Sequence, residues 1–546
     1  RLLKKLLTNK VLDSLTYELS ILEALPQKPY PLPQIASHLL QKINKNKSGK
    51  FVKTTIQRKL QIQVNEIVKN HYNVLKNNEI FNISVLVLDV KNRAVLSYVG
   101  NSKTTKKNHK DVDVIDKPRS TGSILKPFLY AAMLDSGDLL PNMMVADVPT
   151  NFGSYQPENF DKTYAGAVSA KLALSKSLNV PTVRMLQDFG LEKFHDYLQK
   201  LYLKDLKKNP NYYGLTLALG GAESNLWDLC KSYASMASTV NHYSENSSRY
   251  FKNEFCEPTF YANAKIDFGD KTAEKIIFDA ASIYLTFESL KEVNRPNADQ
   301  NWEFFDSSKQ IAWKTGTSFG FRDAWAIGVT KDYVVGVWVG NADGEGRPGL
   351  VGVQAAAPIL FDIFDKLPNS EWFEKPFDEM TAVAICSKSG YRATEICEVK
   401  NAAYIQNAGL KTGPCPYHVL VNVDVSEKYQ VNTSCESLEN IKQKSWFVLP
   451  PLMEYYYREK NPFYKSVPKF RNDCLGEAVN AMKFLYPTEK STIFLPKSFD
   501  GTTNELILKV AHSNKEVTLF WSLNNIFLGT TKEIHHFAIQ PTLGAF

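Results

Sequence analysis

Apolar positions in this chain repeat at helical spacing over long stretches and condense into short strand-like runs at a few places. After Phe51, the segment TTIQRKLQIQVNEIVKNHYNVL sets Leu60, Val64, Ile67 and Val68 on one side of a helix. Two strand-like runs follow, Ile83 to Leu88 and Ala94 to Val99, and the polar stretch Asp89 to Arg93 between them predicts a hairpin. The long middle region reads as mostly helical. Three more strands are predicted at Gln310–Trp313, Ala324–Thr330 and Tyr333–Val339, the last two joined by a turn at Lys331-Asp332. Strands bracketing a helical insert predict an α+β domain with one antiparallel sheet flanked by helices.

The flanks differ in character. Residues 1 to about 50 mix short amphipathic helix patterns with a proline-rich break at Pro26–Pro33, and read as the tail of a preceding domain followed by a linker. Near residue 375 the pattern changes, and residues 380–475 read as irregular and cysteine-bearing. Thereafter Thr492–Leu495, Glu505–Val510, Val517–Trp521 and Ile534–Ile539 predict a small β-sandwich. The expected organisation is a linker at 1–50, a main domain at 51–375, a connecting region at 376–478 and an Ig-like β-domain at 479–546.

Composition narrows the class. With 546 residues, 44% hydrophobic and 22% charged, the chain is neither disordered nor collagen-like. It contains no apolar run of the ~18 residues a membrane span requires. No signal peptide is visible and the chain opens on Arg1, so the expectation is a fragment or processed form whose membrane anchor lies N-terminal to it. A net charge of +8 without a recognition motif gives no reason to expect a nucleic-acid partner. The basic stretch Lys103–Lys110 reads as a solvated loop. Of seven cysteines, Cys386, Cys397, Cys415, Cys435 and Cys474 cluster late. None forms a C-x-x-C pair, so a zinc ribbon is not expected, and Cys415-Pro-Tyr-His418 is a poor metal signal. The cluster fits disulfides of an oxidising compartment, with connectivity open and at least one cysteine left over.

Three short segments carry candidate chemistry. Ser123-Ile-Leu-Lys126 opens an amphipathic helix running through Leu134, with Pro127 tolerated in its first turn. Residues i and i+3 share a helix face, so the Ser123 hydroxyl and Lys126 amine are expected within hydrogen-bonding distance. A lysine kept neutral by burial or nearby positive charge can act as base on such a hydroxyl. Ser177-Leu-Asn179 follows at a helix-to-loop transition, where a serine and an asparagine two apart can relay a proton and hold an amide. Lys314-Thr315-Gly316-Thr317-Ser318 lies at a strand end. There, glycine permits close approach of a ligand backbone, an edge strand can pair with an extended peptide, and the cation and hydroxyls can receive a carboxylate. S-x-x-K, S-x-N and K-T-G-T in this order are the signature of penicillin-binding acyl-serine transferases and serine β-lactamases.

The resemblance extends beyond the triplets. STGSILKPFLYAAMLD, YQPENFD with YAGAVSAKLALSKSLNVPTVRML, LALGGAESNLWDLCKSYASMAS and WKTGTSFGFRDAWAIGVT all resemble class A penicillin-binding proteins. SGYRATEIC, CPYH, SWFVLPP and FWSLNNIFLGTT with HHFAIQP resemble a C-terminal β-domain found in that group. The resemblance covers nearly the whole chain from about Phe51. It implies a penicillin-binding/serine β-lactamase-like transpeptidase with a five-stranded antiparallel sheet. It implies that Ser123 attacks the D-Ala–D-Ala amide of a peptidoglycan stem peptide, with Lys126 as base. Ser177 would pass a proton to the leaving D-alanine, Lys314 would tune its surroundings and Asn179 would hold the peptide. Thr315 and Thr317 would bind the terminal carboxylate within a substrate segment that includes Gly316 and Ser318. The N–H groups of Ser123 and Thr317 would form the oxyanion hole. β-Lactams would acylate Ser123. Such acyl-serine chemistry needs no metal or organic cofactor. The implied compartment is the periplasm, with the full-length protein anchored to the inner membrane.

Class A proteins also resemble bifunctional enzymes with a lipid II glycosyltransferase, whose E-D-x-x-F-x-x-H-x-G motif does not occur in this chain. A β-lactamase reading needs E-x-x-L-N. The nearest match, Glu223-Ser-Asn-Leu226-Trp227, lacks the final asparagine and reads as helix packing. Two alternatives stay open: a DD-carboxypeptidase that uses water as acceptor, and a non-catalytic β-lactam sensor or scaffold.

Overall fold

Five strands form the central sheet of the computed structural model, which describes residues 1–24, 34–153, 155–293, 309–474, 482–488, 491–495, 505–512, 517–524 and 526–540. They are β1 (Asn82–Asp89), β2 (Val95–Val99), β3 (Ala312–Thr317), β4 (Asp323–Val329) and β5 (Tyr333–Gly340). Their order is β2-β1-β5-β4-β3, and every neighbouring pair is antiparallel. Register Asn82↔Gly340 through Asp89↔Tyr333 sets the sheet's first strand in sequence against its last, in the middle of the sheet. β4 is buried along its whole length and β1 along all but its last residue, which is why these strands read as apolar runs without clean alternation.

Helices cover both faces. The principal ones are α1 (Arg58–Leu75), α2 (Lys126–Ser136), α3 (Asn179–Phe189), α4 (Leu226–Glu245), α5 (Ala280–Lys291) and α6 (Ala357–Phe364). α1 buries Leu60, Val64, Ile67 and Val68, the side its spacing predicts. Glycines mark where helices press closest. A Cβ on Gly328 would meet Phe364 and Leu360 of α6, whereas one on Gly336 would meet Cys230 and Leu226 of α4 on the other face. α2 departs from expectation. Every residue from Lys126 to Asp135 is buried, so it is a central helix without a solvent side. It stops at Gly137, whose φ of +83° favours glycine.

β3 also differs from its prediction. It starts at Ala312 and runs through the polar KTGT to Thr317, held by pairing with β4 from Val329↔Ala312 to Ala324↔Thr317. Hydrophobicity fades there because β3 is the outer strand of the sheet and turns its last residues to a cleft.

Residues 380–475 are more ordered than the sequence suggests. Met380–Cys386 pairs with Lys400–Gln406, His418–Val423 pairs with Lys442–Phe447, and α7 (Pro451–Lys460) follows. Much of each strand is exposed, which blurs the pattern. The region is tied to the core. The buried Gln406 amide donates to the Leu134 and Leu139 carbonyls at 3.0 and 2.7 Å, capping the C-terminal end of α2. Cys435 and Cys474 form a disulfide, as the oxidising reading allows. Cys386, Cys397 and Cys415 remain thiols. These three gather with His418 so that their ligand atoms lie within 4.8 Å of one another. That departs from the reading of Cys415–His418 as a poor metal pair, because spacing along the chain conceals a cluster drawn from separate turns.

Beyond residue 480, Met482–Tyr486, Leu506–His512 and His536–Ile539 form one antiparallel sheet, while Thr518–Leu523 and Ile526–Lys532 form a hairpin. Leu506, Leu508, Val510 and Trp521 pack between them, and Trp521 stacks on Phe537. The strand expected at Thr492–Leu495 is absent, and those at 482–486 and 526–532 were not legible. Pro26–Pro33 lies outside the described residues. Among the described residues, no helix is long and apolar enough to cross a membrane.

Candidate active site

Ser123 sits in a tight 3₁₀ turn, Gly122–Leu125, that runs directly into α2. The turn is clamped from three sides. Thr121 bonds the Ala222 carbonyl through both its N–H and its hydroxyl, Tyr233 donates to the Ile124 carbonyl at 3.1 Å, and the Trp325 indole donates to the Ser120 carbonyl at 2.8 Å. Against it lies β3. A Cβ on Gly122 would stand 2.6 Å from both the nitrogen and the oxygen of Thr317, and one on Gly316 would stand 2.6 Å from the Thr121 carbonyl oxygen. Gly316 was expected to make room for a ligand backbone. The chain that approaches it is the protein's own serine turn.

Lys126 lies beneath this turn and is only 2% exposed. Its amine donates to the Ser177 carbonyl at 2.7 Å, to Asn179 Oδ1 at 2.8 Å and to the Leu178 carbonyl at 3.2 Å, with Ser177 Oγ at 3.4 Å. A direct Ser123–Lys126 hydrogen bond is not among the contacts of the described residues. Three oxygens aimed at the amine outcompete one hydroxyl. Burial, followed by the neighbouring Lys314 charge, holds the Lys126 amine well below the usual lysine range.

Ser177 makes the junction. Its φ of +55° is a left-handed conformation that costs a serine about 1–3 kcal/mol. It turns the carbonyl to Lys126 while the hydroxyl accepts from Lys314 Nζ at 2.8 Å. Lys314 also donates to the Thr315 carbonyl at 2.7 Å and is 1% exposed. Burial draws its pKa down to about 7. The two buried lysines thus floor the cleft, and the half-buried Ser123, Ser177, Asn179, Thr315 and Thr317 rim it. The three motifs, up to 191 residues apart (314 − 123), form one constellation.

With this geometry in place, residues 83–364 match the penicillin binding protein transpeptidase domain. The chain belongs to the penicillin-binding transpeptidase family. Residues 471–546 match the Penicillin-Binding Protein C-terminus Family. Penicillin-binding protein 1C of Escherichia coli (strain K12) is 32% identical over 342 residues, covering 61% of this chain and 40% of that protein. Penicillin-binding protein 1A of Neisseria cinerea is 27% identical over 292 residues, covering 51% of this chain and 35% of that protein. The chain therefore spans less than half the length of these relatives. Among solved structures, penicillin-binding protein 1A from Haemophilus influenzae shares the fold with a TM-score of 0.57 at 15% identity, over 76% of this chain and 81% of that one.

The penicillin-binding domain positions Asn179 through residues that the motifs do not name. Asn159 Oδ1 accepts the N–H groups of Asn179 and Val180 at 3.0 and 3.1 Å. Asn159 is held in turn by Asp147 Oδ1 at 2.8 Å and by the Thr163 carbonyl at 2.9 Å. Asn179 Nδ2 donates to the Glu158 carbonyl at 2.9 Å. The signal for this support was YQPENFD, which stands out by resemblance but carries no chemistry of its own. Thr317 Oγ1 accepts from the Gly352 N–H at 3.0 Å. Ser318, grouped with the substrate segment on sequence, is 4% exposed, and its hydroxyl accepts the Asp323 N–H at 2.8 Å, closing the turn between β3 and β4. Glu223 is not on a helix. It pairs with Ser120 in a two-residue strand, and Asn225 caps α4 after it.

Proposed function

We propose that this chain is the transpeptidase part of a class A peptidoglycan synthase, a serine-type D-Ala–D-Ala transpeptidase that works through an acyl-serine. The observation that carries the reading is the convergence on Ser177 of two buried amines, that of Lys314 and that of Lys126, the latter one turn after Ser123 in the chain. Ser123 Oγ attacks the carbonyl of the penultimate D-alanine and forms the C–O bond. Its proton passes to Lys126, whose neutral form is favoured by burial. For this step the amine gives up one of its three close acceptors, since a neutral amine has two hydrogens and one lone pair. The N–H groups of Ser123 and Thr317 stabilise the oxyanion. The C–N bond then breaks, and the proton moves through Ser177 to the leaving D-alanine amine. Lys314 fixes the Ser177 hydroxyl, Asn179 and the β3 edge orient the peptide, and Thr315 and Thr317 receive its carboxylate. The amine of a neighbouring stem peptide attacks the ester carbonyl, the C–O bond to Ser123 breaks as the cross-linking amide forms, and one amine proton passes to Ser123 Oγ. A β-lactam enters by the same route, but its leaving nitrogen stays tethered, so the acyl-serine persists.

We assign the transpeptidase unit to 51–375, the connecting region to 376–478 and the C-terminal β-domain to 479–546. The class A resemblance and the greater length of the relatives support a full-length protein with a glycosyltransferase, anchored at the inner membrane and facing the periplasm.

Intact-mass spectrometry with penicillin tests the reading. One acyl adduct is expected on the wild type and none on Ser123→Ala. A wild type that takes no adduct refutes it. Incubation with a pentapeptide and an added D-amino acid is expected to yield the exchanged peptide, whereas hydrolysed tetrapeptide alone makes the enzyme a carboxypeptidase.

A further inference from the structure

We propose that Cys386, Cys397, Cys415 and His418 form a structural zinc site, separate from the catalytic cleft. All four side chains are buried, at 0, 3, 6 and 4% exposure, and their ligand atoms lie within 4.8 Å of one another. His418 turns Nδ1 toward the sulfurs, 3.3 Å from Cys415 Sγ and 3.5 Å from Cys386 Sγ. A tetrahedral zinc bonded at ~2.3 Å to sulfur and ~2.0 Å to nitrogen sets the S···N separation at about 3.5 Å. The two observed S···N separations are therefore close to those of ligands around one ion. Thiolates with an imidazole are a soft donor set, which selects zinc over magnesium or calcium. Four protein ligands leave no open position, so the site is structural.

Two further features fit. The surroundings donate hydrogen bonds to the sulfurs, as thiolates require: Ser389 Oγ to Cys415 Sγ at 3.1 Å and the Thr394 N–H to Cys397 Sγ at 3.3 Å. The three cysteines also remain thiols in a chain that does close a disulfide at Cys435–Cys474. The centre would fasten the end of one hairpin, at Cys386, to the start of another, at His418. The apolar cluster beneath the first hairpin has only Leu140, Ile385 and Ile405 fully buried. Between the ligands, the Ser389 carbonyl accepts the Met144 N–H at 2.8 Å. Met144 begins the strand that ends at Asp147, the residue that holds Asn159.

The test uses the chain purified without chelator, with metal measured by inductively coupled plasma mass spectrometry and thiols titrated in denaturant without reductant. About one zinc per chain is expected. After chelation in denaturant, thiol titration should find five thiols, those of Cys230, Cys256, Cys386, Cys397 and Cys415. Zinc should fall at least tenfold in Cys397→Ser and His418→Ala and stay unchanged in Cys256→Ser. Should the ligand variants fail to fold, cobalt reconstitution of the wild type decides: tetrahedral d–d bands with a thiolate charge-transfer band support the site. A wild type that takes up no zinc or cobalt and yields only three thiols of the five, two being consumed by a disulfide, overturns it. Penicillin acylation, read in the same samples, reports on Ser123 independently.

Discussion

Ser177 shows how one residue can organise a site: its left-handed backbone gives the carbonyl to one buried lysine and the hydroxyl to another. The two lysines make different predictions. Lys126→Met removes the proposed base, so the second-order rate of penicillin acylation should fall by about 10²–10⁴. Stopped-flow quenching of a fluorescent penicillin measures it, and a loss under tenfold argues for another base. Lys314 has a folded pKa drawn down to about 7 by burial. The unfolded chain keeps that proton to about pH 10.4. Between these values the unfolded state binds more protons, so stability rises with pH. The stability of the wild type relative to Lys314→Met should be flat below pH 7 and climb by about 1.4 kcal/mol per pH unit above it. Urea titrations at pH 6, 8 and 9 would show this, and a flat difference would mean that the folded amine stays charged. The lysines and serines were legible because S-x-x-K, S-x-N and K-T-G-T in this order match a known family signature. Asp147 and Asn159 were not, because a residue that only holds another obeys no chemical rule visible in sequence. Asn159→Ala should therefore lower acylation by up to about 10²-fold through misplacement of Asn179, with the penicillin adduct still on Ser123.

At the scale of elements, close backbone approach decides the cleft. β3 and the serine turn touch through two glycines, and Gly316→Ala puts a methyl 2.6 Å from the Thr121 carbonyl oxygen and 2.8 Å from Ile124 Cγ1. The strand must shift away from Ser123, so acylation should slow while far-ultraviolet circular dichroism is kept. An unchanged rate would show that the approach is slack. The sequence showed α1 and the two strands of the first hairpin well, because their burial is periodic or complete. It misjudged α2 because burial on every side erases amphipathicity, and it ended β3 early because polar residues continue an edge strand into a cleft. The Cys386, Cys397, Cys415 and His418 spacings of 11, 18 and 3 residues match no compact motif, since different turns supply the side chains.

For the whole molecule, the order β2-β1-β5-β4-β3 seats both chain segments of the transpeptidase in one sheet, so the helical insert and the sheet are expected to unfold together. The Cys435–Cys474 bridge closes a loop with a sequence separation of 39 outside that sheet. Cys435→Ser should destabilise the connecting region by about 2–4 kcal/mol, read by denaturation with and without reductant. The capping of α2 by Gln406 reaches further. The helix that begins at Lys126 has, in its last turn, a carbonyl at Leu134 that accepts from an amide 272 residues later. A minimal fragment cut at residue 375 for inhibitor screening would lose that bond, and its penicillin reactivity is expected to fall below that of the longer chain.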